Sequence, residues 1–77
     1  MDNSQREAIL QERMQRLRDL GAELITFQYT PNGVWCIAEG SGIKCEAFAF
    51  NERNAVRNAI EQAEKRRLTR ELLRQST

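Results

Sequence analysis

The chain contains no histidine, one proline, two cysteines and only five aromatic residues among its 77. Each scarcity narrows the chemistry. Without histidine the commonest general base and metal ligand is missing. Cys36 and Cys45 lack the further ligands that a structural zinc requires and stand in no C-x-x-C spacing. Gly40-Ser41-Gly42 lacks the patterns of a phosphate-cradling loop and reads as a hairpin turn. The carboxylates fall mostly on helix surfaces among basic neighbours, an arrangement of solvated charge. No enzyme activity, cofactor, metal or small-molecule substrate is therefore expected. No apolar run approaches the roughly 20 residues that span a bilayer, and the polar start Met1-Asp2-Asn3-Ser4-Gln5-Arg6 is unlike a secretory signal. The expectation is a cytoplasmic protein that binds no membrane, with both cysteines reduced as small strand residues.

What is present suits one small module. A chain this short has room for a single core (residues 1–77) and is near the lower limit for folding without staples. A formal net charge of +1 favours neither nucleic acid nor membrane as a partner. A partner chain covering apolar surface would help so small a core.

The local pattern reads helix, three strands, helix. Ser4-Gln5-Arg6-Glu7 has the form of a capping box, predicting a helix from Gln5 to Leu20. Leu10, Met14 and Leu17, flanked by Ile9 and Leu20, make its buried stripe, and Gly21 is placed to end it in a left-handed conformation. Strand-like stretches follow at Leu24–Thr30, Val34–Ala38 and Ile43–Phe50, separated by Pro31-Asn32-Gly33 and by Gly40-Ser41-Gly42. Asn51 is a favoured N-cap for the last helix, with Phe50 expected to pack on Ala55 as a hydrophobic staple. Ala55, Val56, Ala59, Ile60 and Ala63 supply that helix's core stripe, and helical signal continues to Gln75. The fold class is α+β (αβββα), a three-stranded antiparallel meander with both helices on one face.

Turn chemistry predicts the register. A three-residue Pro31-Asn32-Gly33 loop sets Thr30 opposite Val34, Tyr29 opposite Trp35 and Phe27 opposite Ile37. A two-residue Ser41-Gly42 loop sets Glu39 opposite Lys44 and Trp35 opposite Phe48. Ile25, Phe27, Tyr29, Trp35, Ile37, Phe48 and Phe50 then share one face, expected to be the core under the helices. Thr26, Gln28, Thr30, Val34, Cys36, Ala38, Cys45, Ala47 and Ala49 would form a quiet, charge-poor outer face. A one-residue slip would exchange these roles.

The last helix outruns its own stripe. Continued at helical spacing, Val56-Ile60-Ala63 leads to Arg67, Arg70 and Arg74, so residues 65–77 are expected to project from the domain as a helical extension. From Lys65 onward there are five basic residues and one acid, Glu71. Leu68 and Leu72 align on another face with Leu73 beside them. Arg66, Arg67, Leu68, Arg70, Leu72 and Arg74 are the candidate partner-binding residues.

The αβββα order resembles the double-stranded RNA-binding domain, and Phe48–Ile60 is similar to that family's last strand and alanine-rich second helix. The resemblance implies basic residues at the start of the second helix that contact phosphates across a major groove, with the first helix and a β1–β2 loop histidine reaching the flanking minor grooves. The matching positions hold Glu52 and Arg53, and the loop is Pro31-Asn32-Gly33, so the phosphate-binding cluster is replaced. Residues 34–63 are also similar to small phage-encoded α/β-sandwich proteins, which implies a host-takeover inhibitor of anti-CRISPR type. The expected function is thus non-enzymatic protein binding, as an adaptor or inhibitor and as a homo-oligomer such as a homodimer. The alternative is a module that binds duplex RNA or DNA through its basic C-terminal helix.

Overall fold

The computed structural model describes residues 3–75, with the side chains of Arg70, Glu71, Arg74 and Gln75 outside the description. Helix α1 (Asn3–Asp19) is followed by β1 (Ala22–Thr30), β2 (Gly33–Gly40), β3 (Ile43–Ala49) and helix α2 (Glu52–Gln75). The strands form an antiparallel sheet in the order β1-β2-β3, and the fold is the expected αβββα arrangement. It is elongated, 49 × 24 × 19 Å.

Both helix boundaries next to the sheet follow local chemistry. Gly21 has φ of 116° and donates its N–H to the Arg18 carbonyl at 2.9 Å, ending α1 in the conformation that a side chain disfavours. The Asn51 side chain accepts from the Asn54 N–H at 2.9 Å, capping α2. The other two end signals act differently. Ser4 lies inside the first turn of α1 rather than before it, and Glu7 accepts from the Gln11 side chain at 3.0 Å instead of closing a capping box. Phe50 is 88% exposed and staples nothing.

The second hairpin has the expected register, with Trp35 opposite Phe48 and Glu39 opposite Lys44. The first is shifted by one residue. Thr30 pairs with Gly33, Tyr29 with Val34 and Phe27 with Cys36, so the loop is the two residues Pro31-Asn32. Thr30 is the cause. Its hydroxyl accepts the N–H groups of Asn32 and Gly33 at 3.2 and 3.1 Å and donates to the Gly33 carbonyl. This side-chain turn satisfies the loop backbone without a left-handed third residue.

That slip exchanges the faces of β2 and β3 relative to β1, while Ile25, Phe27 and Tyr29 keep the helix-facing side expected of them. Ile25, Phe27 and Tyr29 now share a side with Val34, Cys36, Ala38, Cys45, Ala47 and Ala49, and this side faces the helices. Trp35, Ile37 and Phe48 point to the other side. The expected aromatic core is therefore overturned: the core is the small-residue face, and it contains Leu17, Val56, Cys36, Cys45 and a set of alanines. The reason is complementary size. Ala55, Ala59 and Ala63 on α2 meet Ala38, Cys45 and Ala47 on the strands, so helix and sheet approach closely and exclude water without needing large rings. Leu10, Met14, Ile25, Phe27 and Ile60 fill the remaining margin.

At the far end β1 carries a bulge. Ala22 pairs with Gly40 and Leu24 with Glu39, leaving Glu23 as the extra residue. The bulge places buried Ala22 on the same side as Ile25, three positions away.

Candidate functional site

Helix α2 lies over β3 and is tied to it by three side chains one helical turn apart. Asn58 donates to the Phe48 carbonyl at 3.2 Å, Gln62 to the Glu46 carbonyl at 2.8 Å, and Arg66 to the Lys44 carbonyl. Four helical residues rise about 6 Å and two strand residues about 6.6 Å, so an i, i+4, i+8 row tracks alternate strand carbonyls. Since these carbonyls point away from β2, the outer edge of β3 is already occupied. Arg13 donates to the Arg53 carbonyl at 3.0 Å, and an exposed Arg16–Glu64 ion pair at 3.0 Å joins the two helices elsewhere. Such an exposed pair contributes little stability.

With both helices on the small-residue side, the opposite sheet face is open. At its centre the Trp35 and Phe48 rings sit with centroids 5.2 Å apart and planes inclined at 53°, each residue 38% exposed. This tilted geometry is a favourable aromatic contact. The Phe48 ring lies across Gly33, where an added Cβ would fall 2.8 Å from the ring. Ile37 and exposed Leu24 extend the apolar band, and Thr26 and Gln28 border it. The charged residues on this face are Glu39, Lys44 and Glu46. An apolar centre with a polar rim is the anatomy of a protein-binding surface.

The residues singled out in α2 are only partly brought together. Ala63 is the last buried residue of α2 among those described. Beyond it Arg66 is engaged with Lys44 and Arg67 is exposed but also makes an interaction. Leu68 and Leu72 are 59% and 66% exposed, with Leu73 exposed beside them. The Arg70 and Arg74 side chains lie outside the described residues. At the start of α2, where the RNA-binding resemblance looked for a cationic cluster, Glu52 stands by the Tyr29 hydroxyl. Hydrogen bonding to Glu52, then desolvation and the Glu52 charge, raise the Tyr29 pKa. The position is acidic and already partnered.

The cysteines are both free and fully buried. Burial pushes the Cys36 thiol up to about 11, with the neighbouring Cys45 adding to the shift; burial also raises Cys45, against the opposing charge of Arg66. Two consequences follow. Neither thiol should react with a thiol reagent at pH 8 until the chain is unfolded, which labelling with and without urea checks. Between pH 9 and 11 the unfolded thiol releases its proton while native Cys36 resists, so stability present below pH 9 falls as pH rises through this window. The rise from 9.0 to about 11 corresponds to about 2–3 kcal/mol at most. Urea midpoints at pH 8 and 10.5 should therefore differ more for the native sequence than for C36A.

Among the described residues, no cluster of histidine, cysteine, aspartate and glutamate is arranged to hold a metal ion, and no helix is long and apolar enough to cross a membrane. Comparison with protein-family models, with curated proteins and with solved structures finds no match. The Trp35–Phe48 patch escaped the sequence reading because it depends on the register of the first hairpin. The signal that could have found it was the threonine preceding Pro31-Asn32, whose hydroxyl can close a two-residue loop.

Proposed function

We propose that the protein is a non-enzymatic protein-interaction module whose principal contact surface is the open sheet face centred on Trp35 and Phe48. The observation that carries this reading is the Trp35–Phe48 pair on a face that neither helix covers. Half-exposed aromatic anchors surrounded by Thr26, Gln28, Glu39 and Lys44 match the composition of binding hot spots and their rims. The exposed leucines Leu68, Leu72 and Leu73 offer a second apolar contact near the end of α2. An adaptor, or an inhibitor of the anti-CRISPR kind that acts by occupying a host protein's surface, is the finer form of the same proposal.

The alternative is duplex RNA or DNA binding by the basic part of α2. It is favoured by one observation, the run of Lys65, Arg66 and Arg67 along α2, of which Arg66 reaches the Lys44 carbonyl. The sheet face is unsuited to that partner, since Glu39 and Glu46 outweigh Lys44 there and phosphate contacts depend on cations.

Affinity capture from lysate with and without nuclease separates the two. A nuclease-resistant protein partner, weakened about 30-fold or more by W35A/F48A in a folded domain, is the expected result. Capture unaffected by W35A/F48A but lost on truncation after Glu64 would move the site to α2. Capture abolished by nuclease, with affinity falling steeply with salt, would instead support nucleic-acid binding.

A further inference from the structure

The two edges of the sheet are treated differently. Along β3, Asn58, Gln62 and Arg66 consume the outward carbonyls of Phe48, Glu46 and Lys44. Along β1 no described residue does the equivalent, although this strand has nine residues and is the longest of the three. The register identifies the groups left over. Phe48 points away from β2, so its opposite residue Trp35 bonds toward β1, and Gln28, opposite Trp35, bonds back. Thr26 does the same through Ile37. The backbone N–H and C=O groups of Ile25, Phe27 and Tyr29 therefore point outward from β1.

An unpaired edge of this kind is a template for another strand unless it is short, bulged, charged or interrupted by proline. From Leu24 to Thr30 the strand has none of these devices. Its bulge is confined to Glu23, the chain's single proline lies beyond it in the turn, and Leu24-Ile25-Thr26-Phe27-Gln28-Tyr29-Thr30 carries no charge. Its core-side residues are also incompletely covered: Ile25 and Phe27 are only half-buried and Tyr29 is largely exposed.

From this asymmetry we infer that β1 pairs antiparallel with β1 of a second copy, joining two sheets into one of six strands. The occupant is argued from what the strand itself offers. Centred on Phe27, a two-fold pairing sets Phe27 opposite Phe27 and Ile25 opposite Tyr29, so every outward group of each copy meets a partner. It also sets Thr26 opposite Gln28 and Leu24 opposite Thr30. No like charges face each other anywhere in this register. The perpendicular two-fold keeps both helix layers on one side, so the half-buried rims of the two cores meet across the seam. It also puts both Trp35–Phe48 patches on one continuous open face. This inference concerns the β1 edge, which adjoins the face proposed for partner binding at Leu24, Thr26 and Gln28, and it does not depend on that proposal.

The test combines oligomeric state with amide exchange on the full chain. Analytical ultracentrifugation over a concentration series should show a monomer–dimer equilibrium, and hydrogen exchange in the dimer should be slow at the Ile25, Phe27 and Tyr29 amides. T26K/Q28K alters only exposed side chains on the open face and sets lysines against each other across the seam. It should give a folded monomer by circular dichroism in which those three amides exchange at least tenfold faster. A chain that remains monomeric throughout the series overturns the inference. So does a dimer in which the three amides exchange as fast as in the monomer, because that dimer would be built on another surface. Conservative T26S/Q28N should remain dimeric, and its loss of dimer would equally count against charge repulsion at this seam.

Discussion

Leu17→Ala is expected to cost about 2–5 kcal/mol, a large part of the stability available to a domain of this size. Leu17 is fully buried and is the largest side chain that α1 contributes to the core. Around it the core consists mainly of alanines and cysteines, which have no length with which to collapse into the space left behind. Trp35→Ala removes a far larger group, yet is expected to cost less, because the indole lies on the open face and is already 38% exposed. Urea denaturation followed by circular dichroism measures both. If Trp35→Ala proved the more damaging of the two, the assignment of the small-residue side to the core would be wrong.

Gly40→Ala is expected to have the second largest effect on folding, about 1–3 kcal/mol, in the range of overpacked cores. Gly40 needs no unusual backbone angle. It needs space, because an added Cβ would run into the Gly21 carbonyl oxygen and come within 3.0 Å of the Glu23 nitrogen. Both obstacles are backbone atoms at the α1–β1 junction, held by the end of the helix and by the bulge. They cannot rotate away as a flexible side chain would. Gly42 makes the informative comparison: with φ of 78°, Gly42→Ala should show the conformational penalty of a left-handed position, about 1–2 kcal/mol. A Gly40→Ala midpoint equal to that of the unaltered chain would show that the junction is looser than described.

Several elements were legible because a single residue type in one place has one economical explanation. Gly21 ending α1, Asn51 capping α2 and Ser41-Gly42 setting Glu39 against Lys44 all depend on groups within a few residues of one another. The capping box at Ser4 was a fair local inference that failed locally, since the helix begins at Asn3, two residues before the expected Gln5. The first hairpin failed with wider consequences. Pro31-Asn32-Gly33 fits either a three-residue loop ending on glycine or a two-residue loop with glycine in the strand, and the Thr30 hydroxyl selects the second.

Of the contact surface, the basic and leucine-bearing character of α2 could be read directly, because it needs only helical spacing. The row Asn58, Gln62 and Arg66 could be read only as polar residues on the outside of a helix, since nothing in the chain announces that a strand's carbonyls lie alongside. Trp35 and Phe48 were paired correctly and placed on the wrong side.

Local sequence by itself determined the order helix, meander, helix, the helix cap at Asn51, the second turn and the near-absence of chemically reactive groups. Each rests on short-range sterics, hydrogen bonding or composition. Tertiary structure decided which face is inside. Alternation in a strand defines two faces but ranks them only by hydrophobicity, and that ranking favoured the aromatic side. Packing ranks them by fit. An alanine-striped helix can approach a sheet of alanine and cysteine until water is excluded, whereas rings would hold it away. The small face therefore became the core, and the aromatic pair was left outside.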